Sequence, residues 1–327
     1  MPTAIRIRRN GGPEVLEVES VEVGTPGPSE VVVRQHAVGV NFIDTYHRSG
    51  LYPVPGFPSG IGVEAAGEIV ALGSDVTALY PGQRVAYASG PPGAYAAERV
   101  YPAERLVPLP DDVDFETAAA VLLKGMTAEA LIRRVFRVKA GDNVLLHAAA
   151  GGVGLLACQW LAALGARVLA TVGSDEKAEL ARQNGAAETI VYTREDFVLR
   201  VRELTSGQGV PVVYDSVGKA TLPRSLECLS PRGTLVSFGN ASGKPDPIDP
   251  LLLGTKGSLF LTRPVLFHYT STREELIASA SAVFDVIRRD VLRVRIGQRF
   301  PLDQARQAHE ALEARGTTGS TLLLPGR

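Results

Sequence analysis

Hydrophobic and polar residues follow two different patterns along this chain. Up to about residue 122, short β-branched and apolar runs such as Glu30 to Arg34 and Gly67 to Leu72 lie between Gly- and Pro-rich turns, and a turn at Pro81 leads into a further run that ends at Tyr87. Runs of this length between turn signals are typical of β-strands. The first third of the chain is therefore predicted to form a twisted, partly open β-barrel with few helices.

From about residue 125 the chain alternates between helix-like and strand-like segments. A helical stretch is predicted from Thr127 to Phe136, and a βαβ unit follows, with strands at Asn143 to His147 and Arg167 to Val172 around a helix from Val153 to Leu164. Repeated βαβ order favours a parallel, doubly wound sheet. The other segments predicted in this region are strands at Thr189 to Tyr192, Val210 to Asp215, Thr234 to Phe238 and Ser258 to Leu261, and a helix at Glu176 to Asn184.

The last part of the chain, from about Pro264, returns to a mixed pattern. It contains an amphipathic helix from Arg273 to Arg288, a short strand, a helix from Leu302 to Arg315 and a strand-like run from Ser320 to Leu324. We expect this tail to rejoin the first region, so that residues 1–124 with 265–327 form one mainly β domain and residues 125–264 form an α/β domain. A length of 327 residues fits two domains.

Composition and charge exclude several classes of protein. The hydrophobic fraction of 45% and the charged fraction of 21% are those of a chain that folds around sizeable cores. Lys and Arg number 34 against 35 Asp and Glu, which gives a net charge of -1. Because a nucleic-acid backbone attracts proteins with an excess positive field, nucleic acid is not expected as the main partner.

The cysteines and the apolar segments indicate the compartment. Cys158 and Cys228 are the two cysteines of the chain, too few for a disulfide framework and consistent with a reducing compartment. The first residues contain no apolar core of the kind that a signal peptide requires, and no later stretch is long enough to span a membrane. We therefore expect a cytoplasmic protein without a membrane partner.

A glycine-rich turn carries the first sign of function. The segment Ala148 to Gly154 follows the apolar strand residues Val144 to Leu146 and precedes a helix, which is the context that a dinucleotide fingerprint requires. Against the pattern G-x-G-x-x-G, Ala149 takes the first glycine position, Gly151 the second and Gly154 the third. The phosphates of a dinucleotide would then lie at the helix N-terminus. A ligand-free strand-to-helix turn is the weaker alternative, because βαβ order surrounds the motif.

The end of the second strand indicates which dinucleotide binds. NAD-specific folds place an acidic residue there to hold the ribose 2′-OH, whereas this chain has Gly173 and Ser174. Asp175 and Glu176 are assigned to the first turn of the next helix, where the helix dipole favours acids. Lys177 is a cation near a helix N-terminus, which a ligand anion would explain; a solvated surface lysine is the alternative.

These residues resemble a known family. The glycine turn with Gln159, together with Asn41 to Tyr46 and Val213 to Gly218, is similar to the zeta-crystallin-type quinone oxidoreductases, a zinc-free branch of the medium-chain dehydrogenase/reductase superfamily, and the bacterial members are the most similar. The match runs from Gly11 nearly to the C-terminus. One departure is Ala162, where the family usually has Lys, Arg or Ser.

The resemblance implies a GroES-like catalytic domain, a Rossmann domain that binds NADPH, and a homodimer formed through the last strand of the nucleotide domain, near Ser258 to Thr262. It also implies cofactor contacts at matching positions of this chain. These are Asn41, Tyr46 and Thr127 near the nicotinamide, Gly151, Gly152, Val153 and Gly154 at the pyrophosphate, Gly173, Ser174, Lys177 and Tyr192 at the adenosine 2′-phosphate, and Phe238, Gly239, Asn240, Arg263 and Arg315 along the rest of the groove. Arg263 and Arg315 could equally form surface ion pairs.

The candidate catalytic chemistry involves no metal. Where zinc-dependent relatives carry Gly-His-Glu, this chain has Gly62-Val63-Glu64, and Asn41 falls near the position of their first cysteine ligand. None of the five histidines stands in ligand spacing with another His or Cys. Alcohol oxidation without a Lewis acid would leave the developing alkoxide unstabilised, so reduction of an electrophilic quinone or enone suits the sequence better.

Tyr46 and Tyr52 are the candidates for donating hydrogen bonds to the oxygen of the acceptor, because a tyrosine keeps its proton at neutral pH. Packing in an aromatic-bearing loop is the alternative. The predicted function is NADPH-dependent reduction of a small-molecule quinone. The alternatives are an NADPH-dependent enone or alkenal double-bond reductase and, in a different class, an NADPH-holding RNA-binding or structural protein, for which a net charge of -1 gives no electrostatic footprint.

Overall fold

The computed structural model describes residues 1–326 and divides into two compact units. The first unit consists of Met1–Met126, Thr270–Asp285 and the chain from Val294 onward; the second consists of Thr127–Tyr269 and Val286–Arg293. Residues 286–293 thus cluster with the second unit, although the sequence analysis assigned them to the mainly β domain. The predicted domain limits stay a prediction.

The strands of the described residues are numbered here in chain order. They are β1 Thr3–Ile7, β2 Glu17–Ser20, β3 Glu30–Val40, β4 Ser59–Gly60, β5 Glu64–Leu72, β6 Arg84–Ala88, β7 Glu98–Pro102, β8 Val107–Pro108, β9 Asn143–Leu146, β10 Arg167–Val172, β11 Glu188–Val191, β12 Val210–Asp215, β13 Leu229–Ser237, β14 Phe260–Thr262, β15 Ile296–Pro301 and β16 Ser320–Leu324.

The helices are mostly short and alternate with the strands of the second unit. They are α1 Phe42–Ser49, α2 Phe115–Ala130, α3 Gly152–Ala163, α4 Asp175–Gln183, α5 Phe197–Leu204, α6 Leu222–Ser225, α7 Pro250–Thr255, α8 Arg273–Arg288 and α9 Ala305–Glu313. A π-helical segment, Leu131–Val135, continues α2. None of the helices within the described chain combines the length and the apolar character that a membrane crossing needs.

A wholly parallel sheet forms the second unit. Its six strands lie in the order β11-β10-β9-β12-β13-β14, and β9 pairs with β10 on one side and with β12 on the other. The chain therefore builds one half of the sheet and then returns to build the other, which places a topological switch point at the carboxyl ends of β9 and β12, where doubly wound sheets bind their ligands. The predicted doubly wound parallel sheet is confirmed.

The first unit is mainly β. Its larger sheet has the strand order β15-β16-β3-β5-β6-β8, with β7 also paired to β3, and a smaller sheet has the order β2-β1-β4. The C-terminal tail enters the larger sheet because β16 pairs antiparallel with β3, with Leu323 opposite Val38. This mainly β arrangement, completed by the C-terminal tail, agrees with the predicted fold class.

Two helices differ from the sequence-based prediction. The region before residue 122 was expected to hold few helices, yet α1 follows β3 directly, and α2 begins at Phe115 instead of Thr127. α1 has only eight residues. A window of 11 to 18 residues is needed to recognise helical periodicity, so the pattern of so short a helix is hidden by its neighbours.

A buried carboxylate holds the start of α1. The backbone N–H of Asn41 donates to Asp44 Oδ2 over 2.8 Å, and the hydroxyl of Tyr95 donates to the same oxygen over 2.9 Å. Asp44 is fully buried, and Oδ1 has no hydrogen-bond partner among the described residues. Burial raises the pKa of Asp44 from 3.8 to about 7, although the hydrogen bonds from Asn41 and Tyr95 act in the opposite direction.

The same network continues to α9. Tyr95 Oη lies 2.9 Å from His309 Nε2, and His309 Nδ1 lies 2.9 Å from Arg48 Nη1. Since Arg48 can only donate, Nδ1 accepts and the proton of the imidazole is on Nε2. Burial and the neighbouring charge of Arg48 lower the pKa of His309 to about 3, so the imidazole is neutral. Through these contacts α9 fixes the position of α1, which carries Tyr46.

Both cysteines are buried thiols in the second unit. Cys158 lies in α3 and Cys228 in a turn before β13, and neither forms a disulfide. Burial raises the pKa of each thiol to about 12.

Asp44 and His309 predict opposite effects of pH on stability. The folded state holds the proton of Asp44 more tightly than the unfolded state does between about pH 4 and 7, so this residue lowers the free energy of unfolding as the pH rises. His309 lowers it as the pH falls from about 6.5 to 3, because only the unfolded state binds that proton. Asp44→Asn should therefore lose stability relative to the wild type on going from pH 7 to pH 4, by an amount on the order of 3 kcal/mol.

Urea unfolding at several pH values measures this difference. His309→Gln is the complementary variant, and it should gain stability relative to the wild type over the same fall in pH. Stability curves of Asp44→Asn and of the wild type that run parallel from pH 4 to 7 would contradict the role assigned to Asp44.

Candidate active site

The strand-turn-helix from β9 to α3 has a strained and tightly packed backbone. Ala148 adopts the left-handed conformation with φ 53°, which non-glycine residues rarely adopt, while Gly151 is extended and forms the N-cap of α3. The fingerprint alignment placed the first glycine position at Ala149, one residue after this left-handed residue. The amide of Gly151 donates to the carbonyl of Ala148 over 3.0 Å, which closes the turn.

Gly154 allows α3 to start directly on this turn. A Cβ at Gly154 would lie 2.4 Å from the carbonyl oxygen of Ala148 and 2.6 Å from that of Ala149, so a side chain cannot be accommodated without moving the backbone. A Cβ at Gly151 would meet only the oxygen of Ala148, at 3.3 Å. The space beside Gly151 is therefore open to a ligand.

The N-terminus of α3 is suited to an anion. No side chain caps it, and its first turn, which includes Gly152 and Val153, contains no acidic residue. By contrast, Ser174 and Asp196 cap α4 and α5 with their side-chain oxygens. Backbone N–H groups of a first helical turn have no partner within the helix and carry the positive end of the helix dipole. This turn can therefore hold a phosphate.

The predicted 2′-phosphate residues lie together at the carboxyl ends of β10 and β11. Ser174 caps α4, and its Oγ accepts from the backbone N–H of Lys177 over 3.3 Å. Tyr192 follows β11, and its amide donates to the carbonyl of Val172 at the end of β10. A Cβ at Gly173 would lie 2.8 Å from the hydroxyl of Tyr192, so the glycine makes room for the phenol. The structure thus brings Gly173, Ser174, Lys177 and Tyr192 into one area.

A second group of predicted cofactor-binding residues lies after β13 and β14. Arg263 Nη1 donates to the carbonyl of Gly239 over 3.0 Å and to Ser237 Oγ over 3.3 Å. With the amide of Asn240 oriented to satisfy its neighbours, its oxygen accepts from Arg263 Nη2 over 3.1 Å. Arg263 therefore holds the loop of Phe238, Gly239 and Asn240 in place.

In the first unit, Asn41 is held by a buried charge pair. Glu64 is completely buried, and its Oε2 accepts from Lys124 Nζ over 3.0 Å and from Asn41 Nδ2 over 2.9 Å, while Oε1 accepts from the amide of Leu123. Because the amino group of Asn41 is used in this way, its side-chain orientation is fixed. A buried carboxylate is stable only when it is paired and fully hydrogen-bonded, so Lys124 is essential to this arrangement.

Sequence reasoning missed Lys124. The signal was present, since Lys124 is the one charged residue of the otherwise apolar stretch from Ala118 to Met126. A lysine with only 6% of its surface exposed needs a buried partner. The sequence alone did not show that the partner was Glu64, which lies 60 residues earlier.

The two candidate tyrosines form an aromatic pair. Tyr46 lies in α1 and is 8% exposed; Tyr52 follows the helix and is partly exposed. Their ring centroids are 5.3 Å apart in an edge-to-face arrangement, and the amide of Tyr52 donates to the carbonyl of Tyr46. His47 lies edge-on to Tyr52 at 6.2 Å, and burial lowers the pKa of its imidazole. The pair therefore belongs partly to a helix, and not only to the loop that the sequence suggested.

The remaining predicted residues, Thr127 and Arg315, lie in or beside two further elements of the chain. Thr127 lies in α2 and is partly buried, in the second unit. Arg315 belongs to the first unit, where it follows α9 in the left-handed conformation and is exposed.

Comparisons with known proteins agree with this geometry. Residues 27–111 match the model of the alcohol dehydrogenase GroES-like domain, and residues 152–279 match that of the zinc-binding dehydrogenases. A quinone oxidoreductase of Pseudomonas aeruginosa is 55% identical over 99% of this chain and 100% of its own length. A 2-haloacrylate reductase of a Burkholderia species is 47% identical, with 99% of each chain covered.

A solved structure extends the comparison to three dimensions. The quinone oxidoreductase of Escherichia coli, crystallised in complex with NADPH, superposes with a TM-score of 0.97 and is 47% identical, over 99% of this chain and 100% of that one. The predicted relationship is therefore confirmed along the whole chain.

The donor set of this chain does not fit the zinc in the name of the second family model. Among residues 1–326, no group of three or more His, Cys, Asp or Glu side chains is placed to bind a metal ion. The area around Asn41 instead contains the ammonium of Lys124, bonded to Glu64. An ammonium in this position would repel a divalent cation.

Identity above 30% over nearly the full length of several relatives, together with two matching domain models and a common fold, defines the family. The chain belongs to the quinone oxidoreductases of the medium-chain dehydrogenase/reductase superfamily.

Proposed function

We propose that this protein is an NADPH:quinone oxidoreductase that reduces quinones without a bound metal ion. The observation that carries the proposal is the start of α3, where an uncapped helix N-terminus meets a backbone turn with open space beside Gly151. Such a turn at the switch point of a doubly wound sheet is the site at which these folds bind the pyrophosphate of a dinucleotide.

NADPH fits the second unit at both of its phosphate positions. The amides of Gly151 to Gly154 would hold the pyrophosphate, and Gly173, Ser174, Lys177 and Tyr192 would hold the 2′-phosphate. Phe238, Gly239, Asn240 and Arg263 would line the groove between adenosine and nicotinamide, and Arg315 is assigned to that groove by the family resemblance alone. When bound, the nicotinamide supplies the hydride.

The first unit supplies groups that would orient the nicotinamide and donate hydrogen bonds to the acceptor. By resemblance to the family, Asn41 and Tyr46 of this unit, together with Thr127, contact the nicotinamide end. Glu64 and Lys124 keep the amide of Asn41 in one orientation. Tyr46 and Tyr52 would donate hydrogen bonds from their hydroxyls to the oxygen of the acceptor. Positioning of donor and acceptor alone can lower a barrier by about 7–11 kcal/mol, so no further catalytic group is required.

Reduction of an activated carbon–carbon double bond is the second candidate function. The observations that favour it are the 47% identity to a 2-haloacrylate reductase and the solved structure of a 2-haloacrylate reductase that superposes with a TM-score of 0.87. A conjugated double bond and a quinone are both electrophiles that can be reduced by the hydride of a nicotinamide and a proton, so the same groups would serve either reaction.

We also propose a homodimer formed through β14. This strand is the edge of the parallel sheet, and it exposes 61% of Phe260 and 38% of Leu261. The backbone N–H and C=O groups of an exposed edge strand can pair with the strand of another chain, and apolar side chains on that edge favour the contact. The free thiols of Cys158 and Cys228 support a reducing compartment, and we propose the cytoplasm, which cell fractionation would test.

Steady-state kinetics should show the predicted reaction. The purified protein is expected to oxidise NADPH in the presence of 1,4-benzoquinone, with kcat/KM for NADPH at least about tenfold above that for NADH, because the 2′-phosphate adds charged contacts. Preference for NADH would refute the cofactor assignment. Rapid turnover of 2-chloroacrylate or an alkenal with no turnover of quinones would select the second candidate, and stoichiometric zinc by elemental analysis would refute the metal-free site.

Lys177→Ala should reduce kcat/KM with NADPH by about tenfold or more and leave the value with NADH nearly unchanged, because the ammonium is expected to contact only the 2′-phosphate. Arg182→Ala is the matched control, since Arg182 lies further along α4 and is bonded to Glu179. Equal losses with both nucleotides would remove the role assigned to Lys177.

Light scattering after size exclusion tests the proposed dimer. Phe260→Glu should convert the dimer to a monomer, because it places a charge in an apolar contact. Leu199→Glu is the control: Leu199 is 70% exposed on α5, and its variant should keep the wild-type mass. A wild-type monomer, or a Phe260→Glu dimer, would contradict the proposed contact.

A further inference from the structure

A bidentate ion pair joins the turns that follow β10 and β11. Arg194 Nη1 donates to Asp175 Oδ2 over 2.6 Å, and Nη2 donates to Oδ1 over 2.5 Å. Both carboxylate oxygens thus accept from one planar guanidinium, the arrangement that gives Arg–carboxylate pairs their directional strength. The pair therefore sets the direction of the Asp175 carboxylate, although both side chains are more than half exposed.

The backbone holds both partners beside the proposed 2′-phosphate site. Asp175 is the first residue of α4. Arg194 lies in a turn in which its own amide and that of Glu195 donate to the carbonyl of Val191, each over 3.0 Å. The pair thus spans the carboxyl ends of two adjacent strands, where Gly173 and Tyr192 also lie.

Asp175 lies close to the position at which an acidic residue selects NAD over NADP. Folds that select NAD use an acidic side chain near the end of the second strand to accept hydrogen bonds from the ribose hydroxyls. The hydrogen bond from Arg194 lowers the pKa of Asp175, so the carboxylate is charged at neutral pH. The two N–H groups of Arg194 occupy two of the roughly four acceptor positions of this carboxylate and compensate its charge, which makes Asp175 a weaker partner for a ribose hydroxyl.

The charge at this site depends on Arg194. Residues 173–177 and 192–195 contain three carboxylates, at Asp175, Glu176 and Glu195, and two cations, at Lys177 and Arg194. The formal charge of these segments is therefore 2 - 3 = -1, and it would be -2 without the guanidinium. A phosphate monoester adds a charge of about -1.5 to -2 at neutral pH, which each uncompensated carboxylate repels.

We propose that Arg194 is a specificity-determining residue of the nucleotide site, and that it favours the phosphorylated nucleotide by masking the carboxylate of Asp175. The inference rests on the NADPH-binding role proposed above. Arg194 acts through Asp175, so it is a positioning residue. The masking works by removing repulsion from the phosphorylated nucleotide and by weakening an acceptor for the unphosphorylated one.

Isothermal titration calorimetry with 2′,5′-ADP and 5′-AMP isolates this effect, because the two probes differ only in the 2′-phosphate. Full-length wild type is compared with Arg194→Met, Asp175→Asn and the double variant. Arg194→Met should weaken 2′,5′-ADP binding by about tenfold and change 5′-AMP binding by less than about threefold, since the unmasked carboxylate repels only the added phosphate strongly. Asp175→Asn alone should bind 2′,5′-ADP at least as tightly as the wild type.

The double variant decides between masking and direct contact. If Arg194 acts by masking, replacing Asp175 as well should restore 2′,5′-ADP binding to within about threefold of the wild type, because no carboxylate is left to mask. A double variant as weak as Arg194→Met would show that the guanidinium binds the phosphate itself and would overturn the proposal. Unchanged binding by Arg194→Met would overturn it as well.

Arg167→Met is a matched control. Arg167 and Glu188 form an ion pair of 3.0 Å between the same two strands at their amino ends, away from the proposed site. Its ratio of 2′,5′-ADP to 5′-AMP affinity should equal that of the wild type, and a shift like that of Arg194→Met would overturn the proposal. A wild type that binds neither 2′,5′-ADP nor NADPH would refute the proposed cofactor; a wild type that binds both, with no change in the variants, would refute only the masking.

Discussion

The parallel pairing of β9 with β10 and β12 is the constraint on which the second unit depends. Val144, Leu145 and Leu146 of β9 are buried to 99% or more, so no polar chemistry can take place along the strand itself. Because parallel strands end at the same edge of the sheet, the polar backbone of the turns is brought to that edge. The glycine turn, the start of α4 and the loop held by Arg263 all follow strands of this sheet. The topology thus places the backbone groups that we propose bind the nucleotide, and the side chains proposed for the site would select among nucleotides.

The first unit stabilises two buried carboxylates in different ways. Glu64 is compensated by the ammonium of Lys124 and by two further N–H donors, from Asn41 and Leu123. Asp44 accepts hydrogen bonds from Tyr95 and from the backbone amide of Asn41. Its burial raises its pKa and so favours the protonated acid. Asn41 contacts both groups, its backbone amide bonding to Asp44 and its side chain to Glu64. The residue proposed to contact the nicotinamide is therefore fixed through its backbone amide and through its side chain by two different buried acids.

The structural features that depend on local sequence pattern could be predicted from the sequence. The glycine turn and the alternation of strands and helices after residue 125 could be recognised because each element is long enough to show its period or its turn residues. α1 could not, because its eight residues are fewer than the 11 to 18 over which helical periodicity can be recognised. The pairings of Lys124 with Glu64 and of Asp175 with Arg194 depend on which strands and helices become neighbours, and a single sequence does not contain that information. Asp175 was assigned correctly to the first turn of α4, but its partner lies 19 residues further on.

The two cysteines have a consequence for the handling of reactive acceptors. Quinones are electrophiles that arylate sulfur, and the attacking species is the thiolate. Cys158 and Cys228 are packed out of contact with solvent, and each would have to lose its proton at a pH far above that of a cell before it became nucleophilic. A protein that turns over such compounds repeatedly needs to be inert toward them, and here the packing of the Rossmann core confers that inertness.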